Sequence, residues 1–254
     1  MLSAKRMSDD QTVHAYFEKK ENGPFRCVEC KEEVVLKSGR SRASHFAHVN
    51  PLACEYAQGE SDLHRECKME IYRCLLADLN VQDVEIEKAF GSVRPDVFAI
   101  IRGVPVAIEV QISSLSVESI MRRTIDYHQR GIYVLWLLQW TPELDKPRYA
   151  PSRWEKWIHA CYFGHVYYWK QGLDVVDYSF EPSIKTIPKK TLYMKNGKAV
   201  SVGGYAQRSI RFRSPIRGKL LNLLRDFGPR FRHWWEGGGI KVPDAKLFIS
   251  NHPF

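Results

Sequence analysis

VPVAIEVQISS, residues 104–114, decides how this chain folds. Val106, Ile108, Val110 and Ile112 alternate with Glu109 and Gln111, the period of a strand whose successive side chains point to opposite faces. One face is apolar, and the other carries a carboxylate and an amide. A charge in so hydrophobic a run is costly to bury without a partner, so the stretch poses a question of chemistry as well as of fold.

The answer begins with the neighbouring run, residues 93–101. Arg102-Gly103 reads as a tight connection between two antiparallel strands, with Gly103 supplying a positive φ if the turn needs one. Arg is not a favoured first residue of a type I′ turn, which leaves a longer loop open, but a symmetric widening keeps the same register. With Ile101 facing Val104, Asp96 faces Glu109. Directly opposed β-carbons lie about 4.5–5.5 Å apart and like charges there repel. A divalent cation resolves the conflict: Mg²⁺, or Mn²⁺, takes one or two carboxylates and leaves positions for water and phosphate oxygens. A salt bridge from Arg94 to Asp96, or from Arg102 to Glu109, is the plain alternative.

Upstream, Leu63, Cys67, Ile71, Cys74 and Leu75 recur near helical spacing over residues 61–79, with Ser61 as N-cap. Glu60, His64 and Lys68, at i, i+4 and i+8, form one polar stripe on that helix, either a solvated face or part of the same site. Strand-like runs at 83–90, 93–101 and 104–112 follow, then a polar helix over 116–130 and IYVLWLL as a fully buried strand. The expected order is helix, three strands, helix, strand.

Residues 1–58 are short of aliphatic side chains and hold Cys27-x-x-Cys30, His45-x-x-His48 and Cys54. Four of these five suit tetrahedral Zn²⁺, whose preferred donors are thiolates and imidazoles, with Cys54 competing with either histidine. Cys67, Cys74 and Cys161 read as packed apolar residues.

At the other end, residues 208–232 carry eight Lys or Arg against one acid, Asp226, and so hold most of the chain's net charge of +9. Residues 215–227 read as a helix begun by Pro215 and closed by Gly228-Pro229, with four leucines on one side. Arg208, Arg211, Arg213 and Arg217 suit a nucleic-acid backbone, and the interleaved aromatics suit unpaired bases. A basic amphipathic helix equally suits a partner protein or an anionic membrane.

The 254 residues, 44% hydrophobic, are enough for a sizeable core and a satellite module. No apolar run approaches the roughly 18–20 residues that span a bilayer. The first residues lack a signal peptide's apolar core, so the cytoplasm is the expected compartment and no membrane partner is expected. The basic balance favours nucleic acid as partner.

RPD at 94–96, IEVQIS at 108–113 and the following SLSVESIMRRTIDYHQRGIYVLWLL, with CVEC, HFAH at 45–48 and SDLHRECK at 61–68, resemble the nuclease core of the competence protein CoiA-like family, a branch of the PD-(D/E)XK superfamily. The resemblance covers about residues 25–140, with a looser echo at 154–169. It implies a restriction-endonuclease-like fold and metal-dependent cleavage of DNA. On the matching positions, Asp96 and Glu109 are the paired metal ligands, Glu60 is the acid of the first helix, and Gln111 stands where many superfamily members have Lys. Arg123 and Tyr127 sit at recurrent positions and, with Arg94, are candidate DNA contacts. A Gln amide carries no positive charge, which makes Lys68 or His64 the candidate cation or proton relay.

The expected architecture is therefore α/β: a zinc-finger-like module over 1–58, a restriction-endonuclease-like core over 59–145, and a small α+β extension with a basic tail over 146–254. The expected function is that of a metal-dependent DNA nuclease or DNA-processing factor, with recombination or defence proteins as further candidate partners. The alternatives are a non-catalytic DNA-binding protein and a zinc-bearing adaptor. The oligomeric state is left open.

Overall fold

The computed structural model describes residues 1–39, 43–50, 54, 60–112, 115–194 and 196–252. It is a mixed α/β chain, mostly strands, with three α-helices among the described residues. The amino-terminal strands β1 (Ser3–Arg6), β2 (Thr12–His14), β3 (Phe25–Arg26), β4 (Glu33–Lys37) and β5 (His45–His48) form an antiparallel sheet in the order β2-β1-β3-β4-β5. Its core is small, built on Phe25, Val34, Leu36 and Phe46.

Next come α1 (Asp62–Leu76), β6 (Val81–Ile86), β7 (Val97–Ile101), β8 (Val104–Gln111), α2 (Val117–Gln129) and β9 (Tyr133–Gln139), in the helix, three strands, helix, strand order. Ser61 caps α1 by accepting the His64 N–H at 3.2 Å, and Ser116 caps α2 by accepting that of Ser119 at 3.1 Å. Arg102 and Gly103, with φ of 50° and 78°, form a two-residue turn of the kind a type I′ hairpin requires, so the longer loop is not needed. The β7–β8 register runs from Ile101 opposite Val104 to Val97 opposite Ile108.

The remaining elements are α3 (Arg153–Cys161), β10 (Val166–Gln171), β11 (Asp174–Ile187), β12 (Lys190–Tyr193), β13 (Ala199–Val202), β14 (Tyr205–Asn222), β15 (Phe227–Arg232), β16 (Trp235–Gly237), β17 (Ile240–Val242) and β18 (Ala245–Ser250). The main sheet runs β14-β11-β10-β9-β8-β7-β6, with β9 parallel to both β8 and β10, and β18 joined to β9 and β15. It crosses residue 145 without a break, and one hydrophobic core holds Val134, Tyr167, Phe227 and Leu247 together.

The expected helix over 215–227 is a strand. β14 is an edge strand paired along β11, and Pro215, opposite Phe180, costs no ladder bond to a further neighbour. The leucines follow period two: Leu221 and Leu223 are buried while Leu220 is exposed. Pairing with β11, non-local in sequence, overrides the local helical spacing. No helix among the described residues is long and apolar enough to cross a membrane.

Candidate metal centre and its charge network

α1 presents Glu60, just ahead of its N-cap, together with His64 and Lys68 to the start of β7, where Asp96 sits. His64 lies between two carboxylates, with Nδ1 3.0 Å from Glu60 and Nε2 3.2 Å from Asp96. Lys68, fully buried, donates to Glu60 and to Glu87 at 2.7 Å, and its Nζ stands 3.4 Å from Asp96 Oδ1. Asp96 takes over where the β7 ladder ends: its Oδ2 accepts the Val110 N–H of β8 at 2.8 Å. The polar stripe of α1 is thus a built site and not a solvated face.

The electrostatics follow from this crowding. Burial alone would lower the His64 pKa, but Asp96 and Glu60 raise it to about 9. Burial also works against charge on Asp96, yet His64 and Lys68 hold that carboxyl well below its usual range. Lys68 keeps its proton for the converse reason, with Glu87, Asp96 and Glu60 outweighing desolvation.

Glu109 occupies a second, adjacent cluster. It is buried on the β8 face that looks toward α2, where it accepts from Tyr127 Oη at 2.5 Å and forms an ion pair with Arg123. Burial pushes its pKa up to about 7 against the pull of Arg123, and the Asp96 charge adds to the rise. The hairpin register therefore brings Asp96 beside Glu109, but not as a shared ligand pair in this arrangement. The ligand atoms that fall within 4.8 Å of one another are those of Glu60, His64 and Asp96. Glu60 Oε2 in that group is buried, accepts no hydrogen bond and has the amino-terminal ammonium of Met1 at 3.7 Å, a cation already drawn to that oxygen. Two carboxylates and an imidazole make a donor set that could hold a metal ion, with the His64 proton leaving on binding. Gln111 is buried on the same β8 face as Glu109.

Tyr127 and Arg94 are buried, and Arg123 is turned onto Glu109, so these three expected DNA contacts serve the interior in this structure. Arg94 spans two units of the fold, with its guanidinium 3.6 Å from Glu87 and 3.9 Å from Glu29 in the Cys27–Cys30 loop. Arg208, Arg211 and Arg217 are exposed along β14, while Arg213 is partly buried there. The alternative Arg102–Glu109 bridge does not form; Arg102 donates to the Phe227 carbonyl.

Glu87 is the residue that sequence reading missed. It lies past the end of β6 at a φ of 53° and accepts the backbone N–H groups of Leu2 at 3.0 Å and Ser3 at 3.0 Å. Its contacts lie 19 and 85 residues away, and no local periodicity marks it. Through Glu87 the amino-terminal sheet is bonded to the lysine that neutralises the acidic cluster.

In the amino-terminal module, Cys27, Cys30, His48 and Cys54 bring one ligand atom each within 4.8 Å of one another, a cluster that could hold a metal such as zinc. Cys30 Sγ is 3.2 Å from His48 Nε2, and Cys27 Sγ is 4.0 Å from Cys54 Sγ. His45 falls outside it and meets the Ala43 carbonyl at 2.9 Å. Three residues apart on β5, His45 and His48 point to opposite faces, so alternation admits only one of them to the cluster.

Two family models match consecutive parts of the chain. Residues 60–155 match that of the competence protein CoiA, nuclease-like domain, and residues 8–57 that of the competence protein CoiA, N-terminal domain. The competence protein CoiA of Bacillus subtilis (strain 168) is 30% identical over 115 residues, which span 45% of this chain and 31% of that protein. The match thus covers less than a third of the curated relative's length. No solved structure matches the chain significantly.

Proposed function

The chain belongs to the CoiA-like family, and on that premise we propose that it is a metal-dependent nuclease of the PD-(D/E)XK type that hydrolyses DNA phosphodiesters. The observation that carries this reading is the convergence of Glu60, His64 and Asp96 within 4.8 Å, against the Lys68 ammonium, inside the segment that matches a nuclease-like domain. Glu60, His64 and Asp96 would hold the divalent ion, with Glu109 as the neighbouring acid. Such an ion, Mg²⁺ or Mn²⁺, supplies an activated water and offsets charge on the phosphate.

The chain's own groups have separable roles. Lys68 supplies the cation that Gln111 lacks, and it is fixed in place by Glu87. Gln111 offers an amide to hydrogen-bond water or phosphate. Arg123 holds Glu109 until a phosphate or a cation competes for one of them. Cys27, Cys30, His48 and Cys54 fit a structural Zn²⁺ site that stiffens the module bonded to Glu87. DNA is the substrate; competence, recombination and defence are the settings in which such an activity fits.

A second reading, a DNA-binding protein without turnover, draws on two observations: Gln111 at the lysine place and the Arg123–Glu109 ion pair. Incubation with labelled single-stranded, double-stranded and branched DNA, in Mg²⁺, Mn²⁺ or chelator, separates the two. Cleavage of at least one substrate in metal and none in chelator is expected. Binding without cleavage under every condition supports the second reading, and cleavage insensitive to chelator rules out the metal mechanism.

A further inference from the structure

Away from the acidic cluster, the first turns of α2, the length of α3, β14 and the β16–β17 hairpin enclose a cleft of about 1050 Å³. Its charge is one-sided. Arg153, Lys156, Arg213, Arg232 and Lys241 line it, with Glu118 as the one carboxylate among the lining residues. Among the described residues, Arg153, Lys156, Arg213 and Arg232 have no carboxylate within ion-pairing distance, and Lys241 has only Glu236 at 3.8 Å. Arg232 Nε is buried there without a hydrogen-bond partner. A concave surface that collects unneutralised cations and a buried, unused guanidinium donor is built for an anion.

Flat apolar surface lies among these charges. The half-buried Phe163 ring is already taken, with the Arg230 and Arg232 guanidinium carbons each 4.2 Å from its centroid, and it holds those two cations at the cleft. Trp235 lines the cleft from the hairpin with more than a third of its surface exposed. The hairpin is anchored and not loose: buried Trp157 of α3 donates from Nε1 to the Lys241 carbonyl at 2.9 Å. Cations lining a groove beside an exposed indole match a strand whose phosphates carry charge and whose bases are free to stack. A duplex hides its base faces, and a cleft of this size admits a few nucleotides but not a double helix.

We propose that this cleft binds single-stranded nucleic acid, with Arg153, Lys156, Arg213, Arg232 and Lys241 on the phosphates and Trp235 against a base. The proposal rests on DNA as the substrate of the proposed function and narrows it to an unpaired strand. α2 links the two places, since its first turns line the cleft and Arg123, farther along it, meets Glu109. A strand bound in the cleft is thereby placed against the helix that controls the second acid.

The test is fluorescence anisotropy of a labelled oligo(dT) and of a duplex of equal length, in chelator so that nothing is cut. It uses the full chain, Arg153→Glu/Lys241→Glu and Trp235→Ala, positions that are all exposed. The parent is expected to bind oligo(dT) at least tenfold more tightly than duplex. The charge reversal should weaken oligo(dT) binding by more than tenfold and flatten its salt slope by about 1.4, the share of two cations on a single strand. Trp235→Ala should weaken it about tenfold. Equal affinity of all three proteins for oligo(dT), parent preference for duplex, or no oligonucleotide binding at all overturns the proposal. Asp96→Asn, assayed alongside, keeps the two ideas apart. If no protein cuts DNA in metal yet the cleft variants lose oligo(dT) binding, the nuclease reading falls and the cleft stands.

Discussion

Asp96→Asn is expected to lower metal-dependent DNA cleavage by about a thousandfold, equivalent to roughly 4 kcal/mol of transition-state stabilisation. The size follows from where Asp96 sits. Its Oδ1 faces Lys68 at 3.4 Å, and its Oδ2 faces His64 at 3.2 Å while accepting the Val110 N–H. An Asn carbonyl can still accept from Val110, which preserves the joint between β7 and β8, but the amide gives up the negative charge a divalent ion requires. Binding of DNA in chelator should be unchanged within about twofold, because Asp96 lies outside the basic cleft. Gel-resolved cleavage at saturating Mg²⁺ and Mn²⁺, with a thermal melt to establish folding, measures the effect. Activity within tenfold of the parent would remove Asp96 from the chemistry.

Lys68→Met is expected to destabilise the fold by roughly 3–5 kcal/mol, the usual cost of removing one partner from a buried ion pair. Met matches the aliphatic stem but removes the one ammonium that reaches Glu60, Glu87 and Asp96 together, leaving the Met1 amino terminus at Glu60 and Arg94 at Glu87. In a chain of this size that corresponds to a fall in melting temperature of roughly 6–20 °C. The pH dependence identifies the cause. In the parent, burial disfavours charge on Glu87, but Lys68 and Arg94 hold its carboxyl well below the usual 4.5. A depressed carboxylate pKa contributes stability above the unfolded value, and that stability is lost as pH falls. Without Lys68 the Glu87 carboxyl titrates higher, so the variant loses less on acidification. The stability gap between parent and variant should therefore narrow from pH 7 toward pH 4. A gap under about 1 kcal/mol at pH 7, or one that widens in acid, would mean the ammonium is not what balances these acids.

These expectations show where sequence was informative. Alternation in 104–114 and the Arg102-Gly103 turn were enough to set the β7–β8 register, because a two-residue hairpin leaves no other solution compatible with one apolar face. Helical spacing put Glu60, His64 and Lys68 on one stripe, and the site uses all three. The residues that complete the network were hidden by distance along the chain. Glu87 answers to backbone amides of Leu2 and Ser3, and Arg123 turns inward because Glu109 needs a buried partner. The leucine-rich segment after Pro215 misled for a similar reason: its neighbour β11 lies some forty residues earlier, and only that pairing makes it a strand. That His45 and His48 cannot both join the cluster, by contrast, was legible from strand alternation once β5 was recognised.

Glu60, His64 and Asp96 are proposed to hold the ion that drives cleavage. A Mn²⁺ titration followed by electron paramagnetic resonance, on protein purified without added metal and first analysed for bound zinc, tests this. One tightly held zinc per chain from the cysteine and histidine cluster and one further Mn²⁺ taken up per chain are expected. Asp96→Asn should lose the Mn²⁺ site while keeping the zinc. Mn²⁺ uptake unchanged in Asp96→Asn, or absent from a parent that still cuts DNA, would contradict it.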